Sequence, residues 1–287
     1  MFGFAATSGA QPTTDTADKD PAEQGTTSKD TVNKEGAKQK TAKNDTAKKS
    51  AKPPAIDPNA LAALDKMGAY LRDQQSFTVR TKTETDYVLD DGQKVRMASS
   101  GELRAKRPDH LRVDVVSDRK ERRFYYDGKT FTMFSPRIGY YSTVAAPPTI
   151  GELADQLEER FGLTLPMVDL FRWGSDKAAI DQIKTASHVG TAKIGGVDTD
   201  HWAFRQPGLD WQIWIERGDK PVPRKLLLTT TDDAARPEHS IEMTWDLSAK
   251  HDDSVFAFAA PKNAHEIAQA EIVPEVPASR SARRTKR

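Results

Sequence analysis

Between residues 77 and 89 the chain alternates with period two. Phe77, Val79, Thr81, Thr83, Thr85, Tyr87 and Leu89 are apolar or β-branched, and Arg80, Lys82, Glu84 and Asp86 between them are charged. This alternation predicts a half-buried strand, about 43 Å long at ~3.3 Å per residue. Asp90-Asp91-Gly92 turns it, and Val95, Met97 and Leu103 mark the return strand. Leu111, Val113 and Val115 mark a third. Phe124 and Tyr126 lead into Asp127-Gly128, a two-residue hairpin signal. Phe131 and Met133 follow, and Tyr140 and Tyr141 open another strand after Ser135-Pro136.

Two stretches follow a helical period instead. Asp57 suits an N-cap and Pro58 the first helical position. Leu61, Leu64, Met67 and Leu71 then predict an amphipathic helix to about Gln74. In mid-chain, Thr149 and Glu152 have capping-box spacing ahead of Ile150, Leu153, Leu157 and Phe161. Pro166, Met167, Leu170, Phe171 and Trp173 predict a second short apolar helix, and Ala178 to Ile183 a third. Strands resume over about 185–194, with a hairpin at Gly195-Gly196. Trp202/Phe204, Trp211/Ile213/Ile215, Leu226/Leu228 and Ile241/Met243/Trp245/Leu247 mark the next strands. Phe256 to Ala264 is the last strand-like segment.

Consecutive strands on short turns pair antiparallel, and alternation gives one dry face and one wet face. Ten or eleven such strands in one sheet must curl. The expected fold is therefore α+β: a large, strongly curved antiparallel half-barrel with helices packed in its concave face.

Composition changes this picture at the ends. The 287 residues are 37% hydrophobic and 30% charged, against ~45–50% apolar for a globular domain. Residues 1–54 carry hardly any large apolar side chain and are expected to be a disordered polar tail. The opening MFGFAATSGA lacks the basic start and long apolar core of a secretory signal. It reads either as the end of a signal begun upstream or as ordinary tail. Residues 274–287 form a second, basic tail. The overall charge of +1 separates into +2 for residues 1–54, −5 for the expected domain at 55–273, and +4 for the C-terminal tail.

Near-neutral net charge removes the whole-molecule argument for nucleic-acid binding. No window reaches ~18 consecutive apolar residues, so no transmembrane helix is expected. The absence of Cys excludes disulfides, thiolate metal sites, a thiol nucleophile and a lipidated cysteine, and it suits an oxidising compartment.

The order of helix, meander, helical insert and second meander, with Phe256-x-Phe258-x-x-Pro261 near the end, resembles the periplasmic lipoprotein-carrier superfold of the LolA/LolB type. The chain is most similar to a bacterial family of predicted periplasmic proteins, a domain of unknown function. The likeness spans roughly residues 56–273. The helix before the Ser76 to Val79 strand and Asp127-Gly128-Lys129 before an aromatic strand add to it. The resemblance implies periplasmic localisation and a hollow that takes a lipid or a lipoprotein acyl chain.

The residues that would line such a hollow are Phe131, Met133, Leu157, Phe161, Leu170, Phe171, Trp173, Trp202, Phe204, Trp211, Ile213, Ile215 and Trp245. The same set is what a filled core would need, so ligand cavity and packed core both stand at this point. Arg119, Lys120, Arg122 and Arg123 form the one dense basic run of the core. They read as a solvated turn or as a contact for anionic headgroups or an envelope protein partner. The six histidines lack metal spacing, and Asp198-x-Asp200-His201 reads as a surface hairpin. No nucleophile elbow, phosphate loop or dinucleotide fingerprint is present. A non-enzymatic binder without cofactor or metal is expected, and an envelope sensor or protein-interaction module with a filled core is the alternative.

Overall fold

The computed structural model describes residues 56–173 and 180–271. The two expected tails and the start of the expected third mid-chain helix fall outside these residues. Element order is α1 (Pro58–Asp73), β1 (Ser76–Val88), β2 (Lys94–Lys106), β3 (His110–Ser117), β4 (Glu121–Asp127), β5 (Thr130–Ser135) and β6 (Tyr140–Ala145). Then come α2 (Ile150–Phe161), α3 (Asp169–Arg172), β7 (Thr185–Ile194), β8 (Val197–Gln206), β9 (Leu209–Glu216), β10 (Pro223–Thr230), β11 (Glu238–Asp246) and β12 (His265–Glu266).

All twelve strands join one curved, unclosed sheet in the order β12-β6-β5-β4-β3-β2-β1-β11-β10-β9-β8-β7. Each meander pairs with its chain neighbours. The two halves meet where β1 pairs antiparallel with β11, Val79 opposite Trp245 and Thr83 opposite Ile241. The strand count exceeds the expected ten or eleven because β12 adds a two-residue parallel edge on β6.

Register carries the alternation across the sheet. Phe77, Ala105, Leu111, Tyr126, Phe131 and Val144 form one continuous row on the concave face. Ala186, Phe204, Trp211, Leu228 and His239 form another in the second meander. The apolar members of both rows join one core cluster, Val144 packed against it, with Leu64, Met67 and Leu71 of α1 and Leu153 and Leu157 of α2. Asp57 Oδ1 accepts the Asn59 N–H at 2.9 Å at the start of α1. Arg107 donates to the carbonyls of Gln74 and Leu71 at its end. Thr149 caps α2, accepting the Glu152 N–H at 3.2 Å, and Gly162 ends that helix in the left-handed region, where a side chain would be strained.

Two expectations need correction. Phe256 to Ala264 is not a strand. After a short 3-10 turn at Asp253–Val255 the chain runs irregularly across the convex face. Phe256 is fully buried between the His110 and His251 rings. Phe258 packs on Tyr125, Phe134 and Tyr141. The convex face is therefore not uniformly wet: this strap dries part of it, which is why Thr78, Thr132 and Phe134 are buried there. The segment then pairs with β6 and closes that edge, a site where unpaired backbone would otherwise invite association.

The second short helix is also smaller than expected. Met167 takes φ 62°, so the helical turn begins only at Asp169. Of the third, only Ile180–Gln182 is described, as a 3-10 turn.

Candidate functional site

The concave face is the candidate site, and α1, α2 and the segment from Gly162 to Trp173 pack against it. All thirteen expected lining residues belong to the one core cluster. Phe131, Leu157, Leu170, Trp173, Trp202, Phe204, Trp211, Ile213 and Ile215 are buried in it, and Met133, Phe161, Phe171 and Trp245 are half-buried against it. Their rings touch. Phe204 stacks on Trp211 with centroids 4.1 Å apart, and Trp173 meets Trp211 at 5.8 Å. Phe77 lies between Phe171 (6.0 Å) and Trp245 (5.5 Å). Trp245 Nε1 donates to the Pro223 carbonyl at 2.7 Å.

Other members of the same cluster were not among the expected site residues. Leu64, Met67 and Leu71 of α1, together with Phe77, Phe124, Tyr126 and Met243, share the cluster. Their signal was in the alternation and the helical spacing. Leu165, in an irregular segment without a period, carried none, and Ile183 is expected only as the end of the third short helix.

The cover is not equally anchored along its length. The α2 end is tied to the sheet: Tyr126 Oη donates to the Pro147 carbonyl at 2.5 Å, and Gln156 Nε2 to that of Ala145 at 2.9 Å. Burial and the carboxylates of Asp109 and Glu152 push the Tyr126 phenol above its ordinary value. Beyond Gly162 the described contacts of the cover with the sheet are side-chain packing. Met167 reaches over Gly101, and Phe171 lies between Phe77 and the Arg107 guanidinium. Arg172 bonds Glu158 at 2.8 Å, tying this segment to α2.

Three polar side chains stand out in and around this core. Burial pushes the Asp169 carboxyl up, opposed by Arg172. Burial draws the His239 imidazole down to about 4, and its Nδ1 sits 2.8 Å from Thr85 Oγ1. Among the described residues the buried Trp202 indole N–H has no hydrogen-bond partner, and it lies beside the His188 ring at 4.5 Å.

The basic run spans the β3–β4 turn and the start of β4. Arg119, Lys120 and Arg122 are exposed, while Arg123 pairs with Glu121 at 2.7 Å. Asp198 and Asp200 do not converge with His201: Asp198 pairs with Lys193 and Asp200 with His188, while His201 stacks on Trp214. Among the described residues no cluster of His, Asp or Glu has metal-binding geometry.

An open antiparallel sheet with an apolar concave face under helices defines the class. The family follows from the sequence: the family model described as "Predicted periplasmic protein (DUF2092)" matches residues 60–269, and the chain belongs to that family. Family membership carries the periplasmic localisation with it. No curated protein matches the chain. Among solved structures, the Mycobacterium tuberculosis lipoprotein LppX is 14% identical with TM-score 0.42, covering 68% of this chain and 100% of that one. LprF from Mycobacterium bovis is 11% identical with TM-score 0.41, covering 74% and 100%. A LolA superfamily protein from Nitrosomonas europaea is 11% identical with TM-score 0.34, covering 69% and 97%.

Proposed function

We propose that this chain is a non-enzymatic periplasmic protein that binds a lipid acyl chain, or a ligand of similar hydrophobicity, between its sheet and the segment Gly162 to Trp173. The observation that supports this reading is the contrast between the two partners. The concave face is one continuous apolar surface held by sheet register, and the cover over its centre is held to it by side-chain packing. Swinging that cover aside exposes Phe77, Trp211 and Trp245 to a ligand. An acyl chain then gains ~25 cal/mol per Å² buried, offset by the contacts that Phe171 and Trp173 give up.

The test is organic extraction of the purified protein followed by mass spectrometry, with uptake of a fluorescent fatty acid as the second arm. Co-purified acyl lipid or saturable uptake is expected. Absence of both would sink the reading.

One observation favours the alternative of an envelope sensor or interaction module. The rings of Phe204, Trp211 and Trp173 already pack on one another, as in a filled core. A partner would then bind outside, for example at β7. Val189 on that edge strand is 55% exposed, and edge strands accept added strands. Specific capture of a periplasmic protein by a chain that takes up no fatty acid would decide for this alternative.

A further inference from the structure

We propose that the β3–β4 and β5–β6 hairpin tips together form a docking surface for an anionic phospholipid bilayer. Both tips lie at the same end of the sheet, where β3 and β5 finish and β4 and β6 begin. They are clamped to each other. Arg137 of the second tip donates to the carbonyls of Ser117 at 2.8 Å and Asp118 at 2.5 Å in the first. The clamp makes two turns into one preorganised surface.

That surface combines two features that a plain solvated turn does not need. Val116, Ile138 and Tyr140 are 44%, 66% and 42% exposed. Arg119, Lys120 and Arg122 are exposed beside them, and none forms an ion pair among the described residues. Among the described residues, the Asp118 carboxylate at the same tips forms no ion pair either. Their neighbour Arg123 holds Glu121, and Arg96 and Arg205 on other strands hold Asp86 and Asp210, so what distinguishes this end is three unpaired cations within four residues beside exposed apolar side chains. With residues 55–273 at net −5, overall charge does not draw the core to an anionic surface. The free cations at this one end supply the attraction and the orientation.

Aliphatic and tyrosine side chains partition into the headgroup boundary while neighbouring Lys and Arg meet lipid phosphates. A protein partner with an acidic patch would match the cations but has no evident use for Ile138 at two-thirds exposure. Position adds a reason. Arg122 and Tyr140 share the face of Phe124 and Val144 on their strands, so a bilayer meeting the tips meets the rim of the hollow. The proposal stands whether or not the hollow takes a ligand.

The experiment is co-flotation of the full-length protein with vesicles of phosphatidylcholine alone and of phosphatidylcholine with about 30% phosphatidylglycerol, at low and high salt. Binding only to the anionic vesicles and only at low salt is expected. The triple variant Arg119→Glu, Lys120→Glu, Arg122→Glu is expected to bind at least ~10-fold less. Ile138→Asp is expected to weaken binding with no charge removed from the basic run. Should the triple reversal misfold by circular dichroism, Arg119→Gln with Lys120→Gln and Ile138→Ser carry the same comparison. Wild-type protein that fails to bind anionic vesicles, or variants that bind as well as wild type, overturn the proposal. Capture of an acidic protein in the absence of vesicle binding overturns it in favour of a protein surface. None of these outcomes bears on the lipid-extraction result, so the two readings fail separately.

Discussion

Gly101 of β2 faces Thr81 of β1 so closely that a Cβ built on the glycine would stand 2.8 Å from Thr81 Oγ1. The same Cβ would lie 3.5 Å from Met167 Cε in the cover. Thr81 is buried, and its branched side chain has little rotamer freedom to withdraw. Gly101→Val is therefore expected to destabilise by about 2–3 kcal/mol through overpacking, read by urea unfolding. The extra methyls also push on Met167, so protease cleavage between Gly162 and Trp173 is expected to speed up before global unfolding does. Equal cleavage rates would show that the cover is rigid.

The strap makes a second prediction. Phe256 is fully buried between two histidine rings, on a face that simple alternation makes wet. Phe256→Ala is expected to cost about 3–5 kcal/mol, and hydrogen exchange in β6 should rise as its β12 cover loosens. A control such as Lys262→Ala, on an exposed turn, should stay within about 0.5 kcal/mol.

These two sites show what was legible in the sequence. The meanders, the hairpins at Asp127-Gly128 and Gly195-Gly196, both cap residues and the identity of the dry face all follow from period and turn chemistry. Phe256 and Phe258 read as a strand because they alternate with small residues, and alternation alone cannot say which face a segment covers. Only the long-range partners, Tyr125 and Tyr141 on strands far earlier in the chain, decide that. That the thirteen expected residues share one core cluster was legible because large apolar side chains at alternating strand positions and at helical spacing each point to one face. Whether such a face holds side chains or a ligand is a question of volume, which period does not encode. The tip surface was half legible: the basic run stood out, whereas Ile138 and Tyr140 join it only through the Arg137 clamp.

Two buried groups set an acid limit. Asp86 has a side chain only 3% exposed, held by Arg96 at 2.8 Å, and Arg96 with the Glu238 N–H keeps its carboxyl down to about 2. A depressed carboxyl stabilises the fold above its unfolded value near ~3.9, and that contribution is lost as pH falls towards about 2. With Arg96 half exposed, the contribution is discounted to about 1–2 kcal/mol. Asp86→Asn should remove that share of stability at pH 7 and flatten the loss below pH 4.

His239 acts in a higher window. Burial favours its neutral form and draws it down to about 4, against ~6.5 in the unfolded chain. The unfolded state binds the proton first, so stability is full above about 6.5 and falls steadily towards pH 4, by about 2 kcal/mol. His239→Gln should abolish the slope between pH 6.5 and 4 in urea titrations at fixed salt. A slope that survives the substitution assigns it to another group.

Trp202 joins stability to function. Its buried indole N–H has no acceptor among the described residues, and an unmet donor costs about 1–3 kcal/mol. Trp202→Phe removes that donor and some ring volume together, so the two effects oppose and stability is expected to change by no more than about 1 kcal/mol. Phe204→Ala, which leaves a hole against Trp211, is expected to cost about 3–5 kcal/mol. The unmet N–H is then unexplained by folding. If an acyl ligand brings an ester or carboxylate oxygen into the hollow, the N–H gains its acceptor on binding. Trp202→Phe should then weaken fatty-acid uptake about tenfold while leaving the urea midpoint nearly unchanged. Loss of uptake with equal loss of stability would make Trp202 a packing residue, and unchanged uptake would place the ligand's polar end elsewhere.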